Sequence, residues 1–394
     1  MCNKTLRNLY ITVPKINAMR LLLAFCISFC ILSVSAQNYY LFVGTYTSGK
    51  SKGIYVYKFN SKNGEVEWVS NTDSSSNPSF VRIAADGKHL YAVNEVSRQQ
   101  AGFVAAYDFD AATGKLDFIN KVSSGTENPC HISLSKDGKW LAVANYTGGS
   151  LATFPINGDG SLEPFSQHII HSGTGVNPQR QEKPHAHSVF FSPDQKFLLS
   201  PDLGLDQVYI YKFNSNNPKP LQPAEIPFIK ADPGAGPRHL DFSPSGKYMY
   251  VVEEMGGTVS AYTYKDGVTK KIQRIATHPE DYKGQPGSAD IHISPDGKFL
   301  YASNRGDEDN IAIFSVDVVT GKLTSVGYQS VLGAQPRNFM IDPTGKFLLV
   351  ANQKTNNIVV FRRDMITGLL QQTLQHIEIP NPVCLQMLEI GSGR

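Results

Sequence analysis

The stretch GAGPRHLDFSPSGKYMYVVEE, residues 234–254, places ionisable side chains at both ends of a pattern that predicts a strand, a turn and a second strand. Arg238 and His239 stand near the start of the first strand, and Glu253 and Glu254 stand at the end of the second. Because the open ends of a hairpin lie side by side, we expect these groups to meet. A guanidinium, an imidazole and a carboxylate at one point could bind an anion and move a proton.

The same strand-turn-strand unit recurs along the chain, for example as ADGKHLYAVNE at residues 85–95 and PDGKFLYASNR at residues 295–305. A third strand follows each unit, and a weaker fourth segment comes after it. The residues at the equivalent turn position are Gly87, Gly138, Gln195, Gly246, Gly297 and Gly345. Four short strands about every 50 residues are typical of a β-propeller.

Two partial copies complete one further unit. Residues 40–59 lack a first strand, and residues 381–390 are a first strand with no second strand after it. The sequence therefore predicts an all-β fold, a single seven-bladed β-propeller over residues 37–394 with four antiparallel strands per blade. One blade is closed by both termini, which removes an open sheet edge.

The first strand of each propeller blade lines the central channel, and the second strand runs antiparallel to it. The start of the first strand and the end of the second therefore lie on one face of the molecule. Counting from each turn residue identifies the side chains that reach this mouth of the channel. The candidate site residues among them are His131, Tyr146, His187, Arg238, His239, Glu254, Arg305 and Arg337.

These residues have structural interpretations beside the functional one. His131 and His239 are either buried histidines with satisfied hydrogen bonds or members of a site. Glu254 among arginines is either an ion-pair network or part of an active site. The Asn that recurs at the end of the second strand, as at Asn145 and Asn304, is predicted to bond to local backbone. The mixture of arginines, a carboxylate and an imidazole in a concave place favours function.

Three histidines, His185, His187 and His239, raise the question of zinc. No HExxH motif and no cysteine spacing typical of a zinc site accompanies them, so we predict no metal and no cofactor. The net charge of +3 is spread along the chain without a basic run, which argues against a nucleic-acid partner. A small molecule is the expected partner, and the sequence makes no prediction of oligomeric state.

The N-terminal residues 1–36 have the pattern of a signal peptide. The apolar run LLLAFCISFCILSV, residues 21–34, follows basic residues and precedes small ones. Because this run is short for a membrane span, we expect cleavage near Ala36, export to the periplasm or beyond, and no stable span afterwards. A retained anchor is the alternative, and Met19 is an alternative start.

Cys130 and Cys384 are the cysteines that lie beyond the predicted signal peptide. Two cysteines so far apart in sequence form neither a disulfide framework nor a metal motif. The sequence does not decide whether Cys130 and Cys384 form a single disulfide bond with each other.

Several strings are more specific than a generic propeller repeat. They are NPQRQEKPHAHS at 177–188, PDLGLDQVYIY at 201–211, GAGPRHLDFSP at 234–244, ADIHISPDGKFLYASNR at 289–305 and QPRNFMIDPTGKFLLVANQ at 335–353. In these strings the chain resembles the seven-bladed lactonase family typified by bacterial 6-phosphogluconolactonase, to which the muconate lactonizing enzyme of fungi is related. The likeness covers residues 39–390.

The resemblance implies an active-site group of His187, Arg238, Glu254 and Arg305, four residues that the count from the turns also selects. It implies hydrolysis of a sugar lactone. Arg238 and Arg305 would hold an anionic end or the developing oxyanion, and Glu254 and His187 would act as base and acid in either order. No GxSxG motif is present, so we expect direct attack by water rather than an acyl-enzyme.

The remaining candidates would bind the substrate. His131, Tyr146, His239 and Arg337 are expected to line the pocket, and residues 180–182, which include Arg180, would cover it from an extra loop. Export would separate the enzyme from phosphorylated sugars of the cytosol, so an unphosphorylated lactone or another organic-acid lactone is plausible. Two alternatives stay open: a cycloisomerase that forms a lactone, and a non-catalytic exported propeller that binds a sugar acid or a partner protein.

Overall fold

The computed structural model describes residues 1, 38–73, 75–96 and 100–391. Residues 2–36 of the predicted signal peptide lie outside the described residues, and the signal peptide stays a prediction. Within the described ranges, no helix has the length and apolar character needed to cross a membrane.

The described residues form seven antiparallel sheets of four strands each. Blade 1 consists of β1 (Asn38–Thr45), β2 (Tyr55–Asn60), β3 (Val66–Asn71) and β28 (Pro382–Glu389), and blade 2 of β4 (Val81–Ile83), β5 (His89–Asn94), β6 (Phe103–Asp110) and β7 (Lys115–Ser123). Blade 3 consists of β8 (Pro129–Leu134), β9 (Trp140–Asn145), β10 (Ser150–Pro155) and β11 (Gln167–Ile170), and blade 4 of β12 (Phe190–Phe191), β13 (Phe197–Asp202), β14 (Gln207–Phe213) and β15 (Leu221–Lys230). Blade 5 consists of β16 (Pro237–Phe242), β17 (Tyr248–Glu253), β18 (Thr258–Lys265) and β19 (Val268–Ala276), and blade 6 of β20 (Ser288–Ile293), β21 (Phe299–Asn304), β22 (Asn310–Val316) and β23 (Leu323–Ser330). Blade 7 consists of β24 (Pro336–Ile341), β25 (Phe347–Asn352), β26 (Asn357–Arg363) and β27 (Leu370–Glu378). This confirms the predicted seven-bladed all-β propeller.

Blade 1 is closed by both ends of the propeller, as the two partial repeats predict. β28 is its innermost strand and pairs with β1 from Tyr39 opposite Glu389 to Gly44 opposite Cys384. The last strand of the propeller therefore returns to the sheet that contains the first, and the inner edge of β1 gains a hydrogen-bonded partner.

Neighbouring blades are joined by side chains as well as by chain connections. The Tyr91 hydroxyl of blade 2 donates to the Gly160 carbonyl of blade 3 at 3.0 Å, and the Tyr301 hydroxyl of blade 6 donates to the Gly368 carbonyl of blade 7 at 2.8 Å. Gly368 has φ of +77°, and a Cβ there would lie 2.3 Å from the ring of Phe299. That turn therefore requires glycine, both for its backbone conformation and for the ring that packs on it.

One backbone hydrogen bond repeats in all seven blades at the predicted mouth. In blades 2 to 7 the N–H of the residue eight positions after the turn residue donates to the carbonyl ten positions before it, and in blade 1 the equivalent bond joins the two ends of the propeller, all at 2.8 to 3.1 Å. The donor and acceptor pairs are Tyr46 to Asn381, Glu95 to Asn77, Tyr146 to Asn128, Leu203 to His185, Glu254 to Gly236, Arg305 to Gly287 and Gln353 to Gln335. The alignment by turn residue is thus confirmed, and it brings the ends of the first two strands together in each blade.

The recurring Asn beside this position has the structural role expected for it. Asn145 donates to the Ser124 carbonyl at 3.0 Å, and Asn304 donates to the Thr277 carbonyl at 2.7 Å. Both side chains are fully buried. They hold the connection from the previous blade against the end of the second strand.

Cys130 and Cys384 are both free and buried, so a bridge between them is excluded. The Cys130 thiol lies 3.1 Å from the His187 carbonyl, whereas the Cys384 sulfur accepts the Val81 N–H at 3.4 Å. Burial raises the pKa of the Cys384 thiol to about 12. Both cysteines act as small apolar groups of the channel wall.

Ending the chain after Ile379 removes β28 and should prevent cooperative folding. The deletion removes the buried Val383, Cys384 and Leu385 and the hydrogen bonds between β28 and β1. Burial of each large apolar side chain contributes about 1.5–3 kcal/mol to the free energy of unfolding. A domain's whole stability is only about 5–15 kcal/mol. Thermal denaturation followed by circular dichroism should show no cooperative transition, whereas a chain ending after Gly391 should melt like the wild type. A cooperative transition in the shorter chain would contradict this account of closure.

Candidate active site

The predicted site residues lie where strands end at the mouth of the channel. Arg238 and Arg337 are the second residues of β16 and β24. Glu254 and Arg305 directly follow β17 and β21. His187 precedes the short strand β12, and its N–H donates to the Pro201 carbonyl at 2.9 Å. The chain connectivity of four different blades thus delivers these side chains to one place.

The carboxylate of Glu254 is shared by three guanidinium groups. Its Oε2 lies 3.1 Å from Nε of Arg238 and 2.9 Å from Nη2 of Arg305. Its Oε1 accepts a hydrogen bond from Nη2 of Arg180 at 2.7 Å. Three of the four residues implied by the resemblance are therefore in direct contact, and Arg180 joins them from the extra loop.

Most of this cluster is withdrawn from water. Arg238 is 1% exposed and Glu254 is 6% exposed. Burial alone would raise the pKa of Glu254, but the charges of Arg305, Arg238 and Arg180 outweigh it and hold that pKa well below its usual range. Burial, together with the charges of Arg305 and Arg337, lowers the pKa of Arg238 to about 9, so Arg238 stays protonated at neutral pH. At neutral pH, Glu254 is therefore an anion paired with the protonated Arg238.

His187 differs from the arginine cluster because it stays neutral. It is 5% exposed, and its Nδ1 has no hydrogen-bond partner among the described residues. Burial lowers the pKa of His187 well below its usual range, and the charges of Arg238, Arg337 and Arg305 add to this effect. The result is an imidazole with a free lone pair or a free N–H, held beside several positive charges.

The extra loop brings Arg180 to one side of the mouth. Nη2 of Arg180 lies 3.4 Å from the Tyr146 hydroxyl in addition to its bond with Glu254, and 44% of the Arg180 side chain is exposed. The loop is fixed by Gln181, which is fully buried and donates from Nε2 to the Leu203 carbonyl at 2.9 Å. Arg180 therefore reaches the buried carboxylate from an anchored segment.

Tyr146 lies beside the imidazoles of two histidines. Its ring stacks on His185 with centroids 4.6 Å apart and meets His187 edge to face at 5.2 Å. His185 Nδ1 is 3.2 Å from the Tyr146 carbonyl, and its Nε2 is 3.2 Å from Glu182. Because both nitrogens of His185 have protein partners, this histidine supports Tyr146. The described residues contain no group of three or more potential metal ligands.

The other two candidate histidines are buried in the channel wall. His131 lies between the rings of Phe80 and Phe190, at centroid distances of 4.1 and 4.6 Å. His239 Nε2 lies 3.3 Å from Nη1 of Arg238, and its Nδ1 lies 2.7 Å from Asp290. Both histidines therefore have buried contacts of the structural kind, which is one of the two interpretations that the sequence allowed for them.

Arg337 occupies a different part of the mouth. Its guanidinium lies over the Tyr46 ring, 5.5 Å from the centroid, and it has no hydrogen bond or ion pair with a described residue. The Tyr46 hydroxyl donates to Glu95 at 2.8 Å, and the Ser79 hydroxyl donates to the same carboxylate oxygen at 2.5 Å. Arg337 is therefore held by its apolar face while its N–H donors remain available.

A cavity of about 1120 Å³ adjoins this part of the mouth. It shares Tyr46 and Glu95 with the mouth and continues outward past Phe103 and Lys121. Its lining includes none of the Glu254 cluster. The cavity is therefore an extension of the mouth rather than the place where the arginines meet.

Tyr46, Glu95 and Asp290 occupy positions equivalent to candidate residues but were absent from the predicted site. Glu95 and Tyr46 stand at the position of Glu254 in other blades, and Asp290 stands at the position of His239. The repeat alignment was the available signal. The alignment could not show side-chain contacts between blades, and those contacts connect these residues to the candidates.

The fold and the site define an all-β propeller with a positively charged mouth built around one buried carboxylate. A family model described as "Lactonase, 7-bladed beta-propeller" matches residues 40–387. The chain belongs to this family of lactonases, which are enzymes.

Similar proteins carry related names. A protein from Formosa agariphila named 6-phosphogluconolactonase is 44% identical over 353 residues, covering 88% of this chain and 99% of the relative. A Bacillus subtilis protein of the same name is 36% identical over 353 residues, covering 89% and 99%. The solved structure of a periplasmic gluconolactonase from Pseudomonas aeruginosa is similar with a TM-score of 0.86 and 38% identity, covering 90% of this chain and 99% of that one.

Replacing Glu254 with Gln should destabilise the protein as well as disturb the site. The exchange leaves three guanidinium groups, one of them fully buried, without their anion. Breaking a buried ion pair typically costs about 3–5 kcal/mol, so the free energy of unfolding at pH 7 should fall by about that amount. Urea denaturation measures it, and Glu378→Gln on the exposed outer strand β27 is the control for charge.

The Glu254→Gln variant should also differ from the wild type in how its free energy of unfolding depends on pH. The pKa of Glu254 is lower in the folded protein than its usual 4.5, so its contribution to stability is present above about pH 4.5 and is lost as the pH falls below it. The wild type should therefore lose more unfolding free energy between pH 5 and pH 3 than Glu254→Gln. Equal losses in the two proteins would show that the carboxylate is not held as an anion by the arginines.

Proposed function

We propose that this protein hydrolyses a sugar lactone by direct attack of water on the ring carbonyl. The observation that carries the proposal is a neutral, buried His187 in the field of Arg238 and Arg305, two of the three arginines that share the carboxylate of Glu254. Such a place combines a proton acceptor with charge that can stabilise a developing oxyanion. The names of the similar proteins support the same reaction class.

The substrate class follows from the charge of the mouth. Arg180, Arg238 and Arg305 share the carboxylate of Glu254, and Arg337 brings a fourth guanidinium to the mouth. Even with the carboxylates of Asp290 and Glu95 counted, four arginines face three anions. A lactone that develops negative charge on its carbonyl oxygen suits this field. We infer an aldonolactone, whose ring carries hydroxyl groups and whose hydrolysis releases an aldonate anion.

Glu254 is better suited to hold the arginines than to move protons. Both of its carboxylate oxygens are engaged by arginines, whereas Nδ1 of His187 has no hydrogen-bond partner among the described residues. The low pKa of Glu254 also leaves it no proton to donate. Through Oε2 it fixes Arg238 and Arg305 side by side. In our proposal these two guanidinium groups face the lactone carbonyl and stabilise the oxyanion of the tetrahedral intermediate.

His187 then performs both proton transfers. Its neutral imidazole takes a proton from water as the water oxygen bonds to the carbonyl carbon. When the bond between that carbon and the ring oxygen breaks, the same imidazolium returns the proton to the departing oxygen. The products are the open-chain acid and a free hydroxyl group, and no covalent intermediate with the protein is formed.

The location of the reaction is part of the proposal. The signal-peptide pattern of residues 1–36 favours export, and one structural relative is described as periplasmic. An exported enzyme would meet unphosphorylated aldonolactones. In our proposal Arg337, whose N–H donors remain available, binds the far end of the substrate, whether that end carries a hydroxyl group or an anion.

His187→Gln should lower kcat by about 100-fold to 10,000-fold, because glutamine has the size for the site but cannot accept and return a proton. Proton release from D-glucono-1,5-lactone in a pH-stat measures it. His376→Gln, on the exposed face of the outer strand β27, is the matched control and should keep wild-type kcat. If His187→Gln hydrolyses the lactone at the wild-type rate, His187 is not the base.

Arg337→Met should keep the apolar contact with Tyr46 but remove the charge. The KM for the 6-phosphorylated lactone should rise at least about tenfold, the loss of one charge-assisted contact of about 1.5–3 kcal/mol. The KM for the unphosphorylated lactone should change less. The matched control is Arg362→Met, because Arg362 also lies over an aromatic ring, Phe347, at 4.9 Å. Equal changes for both lactones would show that Arg337 does not bind the far end.

A further inference from the structure

A chain of polar contacts runs behind Arg238, on the side away from Glu254. Nη1 of Arg238 lies 3.3 Å from Nε2 of His239, and Nδ1 of His239 lies 2.7 Å from Oδ1 of Asp290. Arg238, His239 and Asp290 are 1%, 5% and 2% exposed. Asp290 belongs to β20 of blade 6, whereas Arg238 and His239 belong to β16 of blade 5.

The hydrogen-bond chemistry of this chain allows one arrangement of protons. A guanidinium can only donate, so Nε2 of His239 must accept from Arg238. The proton of the neutral imidazole is then on Nδ1, where it donates to Asp290. Burial and the charge of Arg238 lower the pKa of His239 to about 4, which keeps the ring neutral at the pH of the reaction. His239 is thus held as its Nδ1–H tautomer.

Asp290 is itself fixed by donors on its other oxygen. Oδ2 accepts hydrogen bonds from the Asn338 side-chain amide and, at 3.3 Å, from the Phe339 N–H. His292 Nε2 lies 3.1 Å from the same oxygen. These contacts come from blades 6 and 7, so the carboxylate cannot rotate without breaking bonds in the channel wall.

We propose that Asp290 is a positioning residue that sets the tautomer of His239 and thereby holds Arg238 in the orientation required for catalysis. This inference rests on the proposed function, because it assigns Arg238 to the developing oxyanion. In the opposite tautomer, an N–H on Nε2 would face the N–H of Arg238 Nη1. That guanidinium would then have to withdraw from a place where it also contacts Glu254 and the Ala289 carbonyl.

Asp290→Asn tests this directly because the surroundings determine how the new amide is oriented. The donors of Asn338 and Phe339 require an oxygen at the Oδ2 position. The amide nitrogen must then occupy the Oδ1 position and donate to Nδ1 of His239. His239 is forced into its Nε2–H tautomer, in conflict with Arg238. The variant keeps the size of the side chain and reverses one hydrogen bond.

Two measurements are needed. In protein labelled with ¹⁵N-histidine, the ring nitrogen shifts of His239, assigned from a His239→Gln sample, should show a proton on Nδ1 in the wild type and on Nε2 in Asp290→Asn. The kcat for the lactone should fall about 100-fold or more in Asp290→Asn, the usual cost of losing one oxyanion donor, with little change in KM.

Asp241→Asn is the matched control. Asp241 is another acid of the channel wall, it accepts the Ile293 N–H at 2.9 Å, and it lies 3.9 Å from His292, which also contacts Asp290. It has no hydrogen bond or ion pair with His239 among the described residues. The Asp241→Asn exchange removes a carboxylate from the same region without changing which nitrogen of His239 carries the proton. The ¹⁵N chemical shifts of His239 and the kcat should therefore match the wild type.

Each outcome decides the inference. A wild-type His239 that carries its proton on Nε2 overturns it, and this result needs no variant to fold. A reversed tautomer with unchanged kcat shows that Asp290 has no bearing on catalysis. If the wild type hydrolyses no lactone, the proposed function fails and the catalytic role of Asp290 fails with it. The tautomer measurement would still test whether Asp290 controls His239.

Discussion

The sharing of one buried carboxylate by three guanidinium groups is the interaction on which the site depends. Without Glu254, Arg238 would be a buried charge with only neutral partners, and Arg305 and Arg180 would have no common point of attachment. Charge pairs of this kind persist in a low-dielectric place only when each ion is compensated. In our proposal the excess of positive charge that remains stabilises an anionic transition state. Burial, together with that charge, keeps the imidazole of His187 neutral.

The propeller provides this arrangement through one repeated backbone feature. The hydrogen bond from the end of each second strand to the residue before the first strand brings two chain positions per blade to the channel mouth. Seven blades therefore offer a ring of side chains whose identities differ while their backbone positions are equivalent. Blades 4, 5 and 6 supply the imidazole, the carboxylate and two arginines. Other blades supply Tyr46, Glu95 and Arg337, whose contacts leave the guanidinium of Arg337 available.

Much of this organisation could be predicted from the sequence, because repeat spacing and turn residues determine blade number, closure and the equivalent positions. Eight candidate residues at the channel mouth followed from that alignment. The partners of those residues could not be predicted, because they depend on side-chain contacts between blades: Asp290 reaches His239 from the next blade, and Arg180 reaches Glu254 from an irregular loop. Burial and the surrounding charges were also inaccessible to sequence patterns: burial is the main cause that keeps His187 neutral, whereas three arginines keep Glu254 an anion.

Catalysis itself is the central claim, and one measurement tests it most directly. Proton release from D-glucono-1,5-lactone should be followed in a pH-stat with and without the wild-type protein, over a range of lactone concentrations. The account predicts saturable release proportional to enzyme concentration and faster than the spontaneous reaction. Release at only the spontaneous rate, with a melting temperature that nevertheless rises as gluconate is added, would contradict it and would identify a propeller that binds sugar acids without turnover.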